Sequence, residues 1–160
     1  MSPVAFVADS MLEKLARYLR CAGADVISDR GASTATLIER ANRENRHFLT
    51  RNRHLVHHHP LPRHEVQLAS DDPVEQFRQL VRAKMVDTAR SFSRCIRCNL
   101  PLVAVEREAI RGRVPPGVFE GYRRFFTCAS CETVFWRGSH VRNTCRKLGL
   151  PDASERAQSV

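Results

Sequence analysis

Short apolar runs alternate with amphipathic stretches through the first half of the chain. Val4–Ala8 reads as a buried strand that stops at Asp9. Met11–Ala22 follows with helical periodicity: Met11, Leu12, Leu15, Leu19 and Ala22 share one face, while Lys14, Arg17 and Arg20 point away. Gly23 ends that helix, and Ala24–Ile27 is the next strand. Thr34–Asn45 predicts a second helix with Leu37, Ile38 and Ala41 inward. Arg46–Thr50 predicts a strand, Asn52–His58 a short helix and Glu65–Ala69 a further strand. Asp72 and Pro73 then open a third helix as N-cap and first helical residue. This βαβα alternation argues an α/β fold, a parallel sheet covered by helices.

Ligands of open parallel sheets bind beyond the carboxyl ends of the strands. That places Asp9, Thr50-Arg51-Asn52 and Asp71-Asp72 around one crevice, with Asp25 and Asp29 near the end of the second strand. Capping is sufficient explanation for Asp72. Asp9 either binds a metal or caps the helix that follows it.

The pattern changes after residue 90. Ser91–Arg94 is the expected linker, and short strands over Leu102–Val105, Arg124–Thr127 and Thr133–Trp136 surround two cysteine pairs. Cys95/Cys98 and Cys128/Cys131 are C-x-x-C knuckles with 29 residues between them. Each two-residue spacer turns two thiolates to a common point, so a structural zinc ribbon is the first reading. Two disulfides or a reduced redox pair are the alternatives. No signal-like start and no thioredoxin-like context favours either. Arg137-Gly138-Ser139-His140 leads into a last helix reaching about Leu148. The expected organisation is a domain over 1–90, a zinc ribbon with terminal helix over 91–149, and a fraying tail over 150–160.

The 160 residues carry a net charge of +9, and 23 of the 26 basic residues are arginine. The excess is uneven: residues 1–90 carry a net +3 and residues 91–160 a net +6. A basic, arginine-rich ribbon points to a polyanion, with nucleic acid as the partner. No apolar run is long enough to span a membrane, and the cytoplasm is the expected compartment. Cys21 and Cys145 read as reduced, partly buried thiols in helices. His54, His57, His58, His59 and His64 are numerous, but three consecutive histidines cannot face one ion from a helix, and Pro60-Leu61-Pro62 makes the region a loop.

Five motifs in order carry a resemblance: Val7-Ala8-Asp9-Ser10-Met11-Leu12; Leu15–Arg20 with Gly23; Phe48-Leu49-Thr50-Arg51-Asn52-Arg53; the two knuckles; and Phe135–His140. Together, over about residues 4–148, they resemble the Mut-seven C-terminal RNase domain family, a PIN-like domain fused to a zinc ribbon. The resemblance implies a ribonuclease dependent on Mg²⁺ or Mn²⁺, in which clustered carboxylates hold the cation. Asp9 matches the family's first acidic position. Thr34 and Asn52 stand where the family pattern has aspartates, which removes two negative charges from the cluster. Asn52 offers a carbonyl oxygen, and Asp29, Asp25 and Asp71 are the candidate substitutes; Asp9, Asn52 and Asp29 form the expected catalytic set. Arg17, Arg20, Arg51, Arg53, Arg97, Arg137 and His140 are the expected RNA contacts. The leading reading is a PIN-like ribonuclease acting on RNA. The alternative is a non-catalytic protein that binds RNA, a ribosome or another RNP; a third class is a zinc-ribbon protein-interaction module. Oligomeric state stays open.

Overall fold

The central strand, β1 (Ala5–Ala8), explains the architecture. Phe6, Val7 and Ala8 are all inaccessible to solvent, because both faces of this strand are covered. In the computed structural model, which describes residues 3–151, β1 is flanked by β2 (Asp25–Ile27) and β3 (His47–Thr50), and β4 (Glu65–Gln67) lies outside β3. All pairs are parallel, in the order β2-β1-β3-β4. Register sets Val7 beside Ile27 and Phe48, and Leu49 beside Val66.

Successive side chains point to opposite faces and so feed two cores. Phe6, Ala8 and Leu49 pack beneath α1 (Glu13–Cys21) and α3 (Pro73–Arg82), against Leu15, Leu19, Phe77 and Leu80. Val7 and Phe48 pack on the other side under α2 (Thr34–Arg43), against Leu37, Ile38 and Leu55. Each such side chain contributes about 1.5–3 kcal/mol through burial. Asp72 caps α3 by accepting from the Val74 N–H at 3.0 Å, with Pro73 at the first helical position as expected.

Two helices differ from expectation. The first begins as a 3₁₀ turn over Ser10–Leu12, which rotates Met11 out of the inward face and leaves it 61% exposed. The expected helix over 52–58 is only a 3₁₀ turn, Leu55–His57, anchored by buried Leu55.

The second sheet is antiparallel, in the order β5 (Val103–Val105), β6 (Phe125–Thr127), β7 (Val134–Phe135). The segment between β5 and β6 carries a 3₁₀ turn (Arg107–Ile110) and α4 (Pro116–Gly121), neither of which the hydropathy pattern reveals. They make a small core of Ile110, Val114, Phe119 and Phe125. The Arg107 and Arg111 guanidiniums lie 4.1 and 4.5 Å from the centre of the Phe119 ring.

The last helix, α5 (Ser139–Leu148), returns to the first sheet. Val141, Cys145, Leu148 and Leu150 join the cluster of Phe6, Leu15 and Phe77, and α5 packs on α3. Gly149, with φ of 69°, ends the helix in a left-handed cap. The tail foreseen over 150–160 lies outside the described residues beyond Pro151. No helix among the described residues is long and apolar enough to cross a membrane.

Candidate functional site

The two knuckles have the same local construction. Asn99 and Glu132, each following the second cysteine of its pair, are left-handed, with φ of 62° and 56°. Each donates its N–H to the carbonyl of the first cysteine, Asn99 to Cys95 at 3.0 Å and Glu132 to Cys128 at 2.9 Å. This turn brings all four sulfurs within 4.8 Å of one another. Zinc–sulfur bonds of about 2.3 Å in a tetrahedron require sulfurs about 3.8 Å apart, and Cys95 Sγ lies 3.7 Å from Cys131 Sγ. None of the six cysteines is in a disulfide. The donor set therefore fits a zinc ion held by Cys95, Cys98, Cys128 and Cys131, with no position left for chemistry. Burial pushes the Cys95 thiol up to about 12, while the Thr133 hydroxyl, 3.2 Å from Cys131 Sγ, pulls that thiol down to about 6. A bound zinc would take all four sulfurs as thiolates, their protons passing to solvent.

The first knuckle also seals the edge of the parallel sheet. The Asn99 amide accepts the Val26 N–H at 3.0 Å and donates to Asp25 Oδ1 at 2.6 Å. Asp25 is the first residue of β2, at the opposite end of that strand from the expected crevice, where Arg46 holds both its oxygens at 2.8 and 3.1 Å. It is a structural partner and not a substitute ligand.

Arg20 is likewise structural. Only 3% exposed, it donates from Nε and a terminal nitrogen to the Val26 carbonyl (3.0 and 2.8 Å), to Ser28 Oγ at 2.8 Å and to the Ile96 carbonyl at 3.0 Å. The expectation that Arg20 faces RNA is corrected: its guanidinium bolts α1 to β2 and to the first knuckle. Helical periodicity placed it outward because the ribbon that covers this face is distant in sequence.

At the carboxyl end of β1, Asp9 is 1% exposed. Its Oδ2 accepts from the Thr50 hydroxyl at 2.8 Å; Oδ1 accepts from the Ser10 N–H at 2.8 Å and from the Thr34 hydroxyl at 3.4 Å. Thr34 and Thr50 therefore do converge on Asp9, from α2 and β3. Asn52 does not: its Oδ1 accepts the His54 N–H at 2.9 Å, and its own N–H bonds Thr50 Oγ1 at 3.0 Å. Asp29 is exposed and closes its own turn by accepting from the Gly31 N–H at 2.8 Å. Among the described residues, the four cysteines are the only group of three or more His, Cys, Asp or Glu side chains placed to share an ion. Asp9 is therefore not part of such a group of three or more among the described residues. Thr50 was absent from the expected set, although a threonine ending a buried strand beside β1 is a signal that pairing alone supplies.

Arg17, Arg51, Arg53 and Arg97 are exposed, as is His140, while Arg137 is half-buried. Arg51 lines a small cavity with Lys14 and Asp71 beside the start of α1, and Arg97 borders a polar cleft shared with Arg40 and Ser28. Arginines thus lie on both sides of the ribbon junction. The histidines form no joint site: His54 stacks on His57 and His47 on His64, at 6.5 and 5.0 Å between rings.

The family model of the Mut7-C RNAse domain matches residues 4–148. The chain belongs to the Mut7-C RNAse domain family. No curated protein and no solved structure matches it. Membership makes the function ribonuclease-type at the coarse level, with RNA as the implied substrate. The observed parallel sheet followed by a four-cysteine unit agrees with the architecture that the resemblance implied.

Proposed function

We propose that this member of the Mut7-C RNAse family binds RNA along its arginine-bearing face, and that binding, not turnover, is its principal activity. One observation carries the reading: both oxygens of Asp9 are engaged by Ser10, Thr34 and Thr50, and no acidic trio forms around it among the described residues. A hard divalent cation takes oxygen ligands with charge to match its own, and here the Asp9 carboxylate is already hydrogen-bonded to neutral hydroxyls. Arg17, Arg51, Arg53, Arg97, Arg137 and His140 supply donors for phosphates, and arginine's fork suits them. The zinc unit holds the ribbon's share of these residues in place.

Metal-dependent cleavage, the second reading, is favoured by family membership and by the buried placement of Asp9 at the strand end. Mn²⁺ titration and single-stranded RNA cleavage, each compared with Asp9→Asn, separate the two. The binding reading expects salt-sensitive RNA association with no Mn²⁺-dependent cleavage above the Asp9→Asn background. It also expects Thr34→Asp, which sets a second carboxylate beside Asp9, to acquire saturable Mn²⁺ binding. Cleavage by the wild-type chain that disappears in Asp9→Asn would establish the nuclease instead.

A further inference from the structure

Between the second sheet, the end of α1 and the start of α5 lies a cavity of about 150 Å³ whose walls are mostly apolar. Phe126 from β6, Phe135 from β7, Trp136, Arg137, His140 and Thr144 line it, with the Arg137 guanidinium 5.9 Å from the centre of the Phe126 ring. A cavity of this size accommodates one six-membered aromatic ring. The indole is held open at the rim: a Cβ on Gly138 would sit 2.8 Å from Trp136 Nε1, so only glycine lets the ring lie there. His140 meets Trp136 edge-on, with 5.6 Å between ring centres.

The cavity is not simply an imperfection of packing. Arg137 Nε is buried and has no hydrogen-bond partner. A buried donor without an acceptor is unfavourable, and guanidinium nitrogens can only donate. Arg137 is among the residues lining the cavity, and a small turn of its guanidinium would offer this donor to an acceptor on whatever fills it. Cys21 of α1 also borders it, and exposed Arg17 stands one helical turn earlier on the same face. Aromatic walls with an unpartnered guanidinium donor beside them match a nucleobase: flat ring inside, carbonyl oxygen toward Arg137.

We propose that this cavity receives a pyrimidine base of single-stranded RNA. Stacking on Trp136 and Phe126 tolerates any base face, but the volume selects one ring over two, and the unpaired Nε–H selects a ring bearing an acceptor. The inference rests on the RNA reading above and adds to it a site and a base class. The pocket lies at the end of α1 remote from Asp9, so it acts whether or not Asp9 supports hydrolysis.

Trp136 is the chain's one tryptophan and reports on the cavity directly. Oligouridylate, oligoadenylate and an abasic strand of equal length are titrated into the zinc-loaded chain, with anisotropy and Trp136 emission read together. The expected result is quenching by oligouridylate, with about tenfold tighter binding than the abasic strand and weaker quenching by oligoadenylate. Arg137→Lys keeps the charge and removes the Nε–H, and Thr144→Leu crowds the cavity from α5. Each is expected to reduce the preference for oligouridylate over the abasic strand to about twofold. Equal binding of both strands without quenching overturns the pocket and leaves the RNA reading standing. Binding of neither strand overturns both.

Discussion

Gly23 carries a φ of 87°, and a Cβ there would drive into the backbone carbonyl of Arg90. Backbone cannot yield as a flexible side chain does, so Gly23→Ala combines a left-handed penalty with a clash. Loss of at least about 2 kcal/mol is expected, read as a lowered urea midpoint. Arg20 is a different kind of residue, a buried cation whose four donations reach the Val26 and Ile96 carbonyls and Ser28. Burial pulls it below the ordinary guanidinium range, opposed by Glu13, and it remains charged at neutral pH. Arg20→Met strands those acceptors, and a loss of about 2–4 kcal/mol is expected in chemical denaturation. Its RNA affinity, measured where the variant is still folded, should stay near wild type; a large drop would return Arg20 to the RNA-facing set. Asp9 shows the same contrast between type and setting. Its position at the end of β1 was legible from the apolar run before it, whereas its neutral surroundings depend on Thr50 from another strand.

At the scale of elements, the first knuckle both carries zinc ligands and finishes an open sheet edge. A strand edge with free N–H groups invites pairing with another chain, and Asn99 closes β2 by accepting the Val26 N–H. Removing zinc with a strong chelator is therefore expected to disturb more than the ribbon, since the knuckle that orients Asn99 loses its anchor. Loss of Trp136 near-UV signal together with faster exchange of the Val26 amide, monitored by hydrogen exchange, would show this coupling; an unchanged Val26 amide would contradict it. Asp25 lies in the same junction. Burial pushes its carboxyl up, but hydrogen bonds from Arg46 and Asn99 outweigh that and hold it below the ordinary aspartate range. A depressed carboxylate stabilises the fold above its unfolded value, near pH 4, and that contribution is lost as pH falls through the lower folded value. Asp25→Asn should thus be destabilised at pH 7 and approach wild type under strong acid, in paired denaturation curves. Strands, helices and cysteine spacing were readable along the chain because period and composition are local. The roles of Asp25, Arg20 and Asn99 were not, because their partners lie up to 76 residues away. The segment around α4 escaped for another reason: Val114-Pro115-Pro116-Gly117 looks like a turn, yet Pro116 can begin a helix.

For the molecule as a whole, a net charge of +9 sets association with polyanions more than it sets the fold. Exposed arginines on α1, after β3 and on the ribbon give RNA several phosphate contacts, so affinity should fall steeply with added salt. Arg17→Glu/Arg51→Glu is expected to flatten that salt dependence and weaken binding by at least about tenfold. The return of α5 to the first core has a further consequence, for the order in which the chain is made. Because Val141, Cys145, Leu148 and Leu150 complete the cluster around Phe6 and Phe77, a ribosome must synthesise the entire four-cysteine unit before β1 acquires its last cover. A strand made before the ribbon waits for a helix made after it.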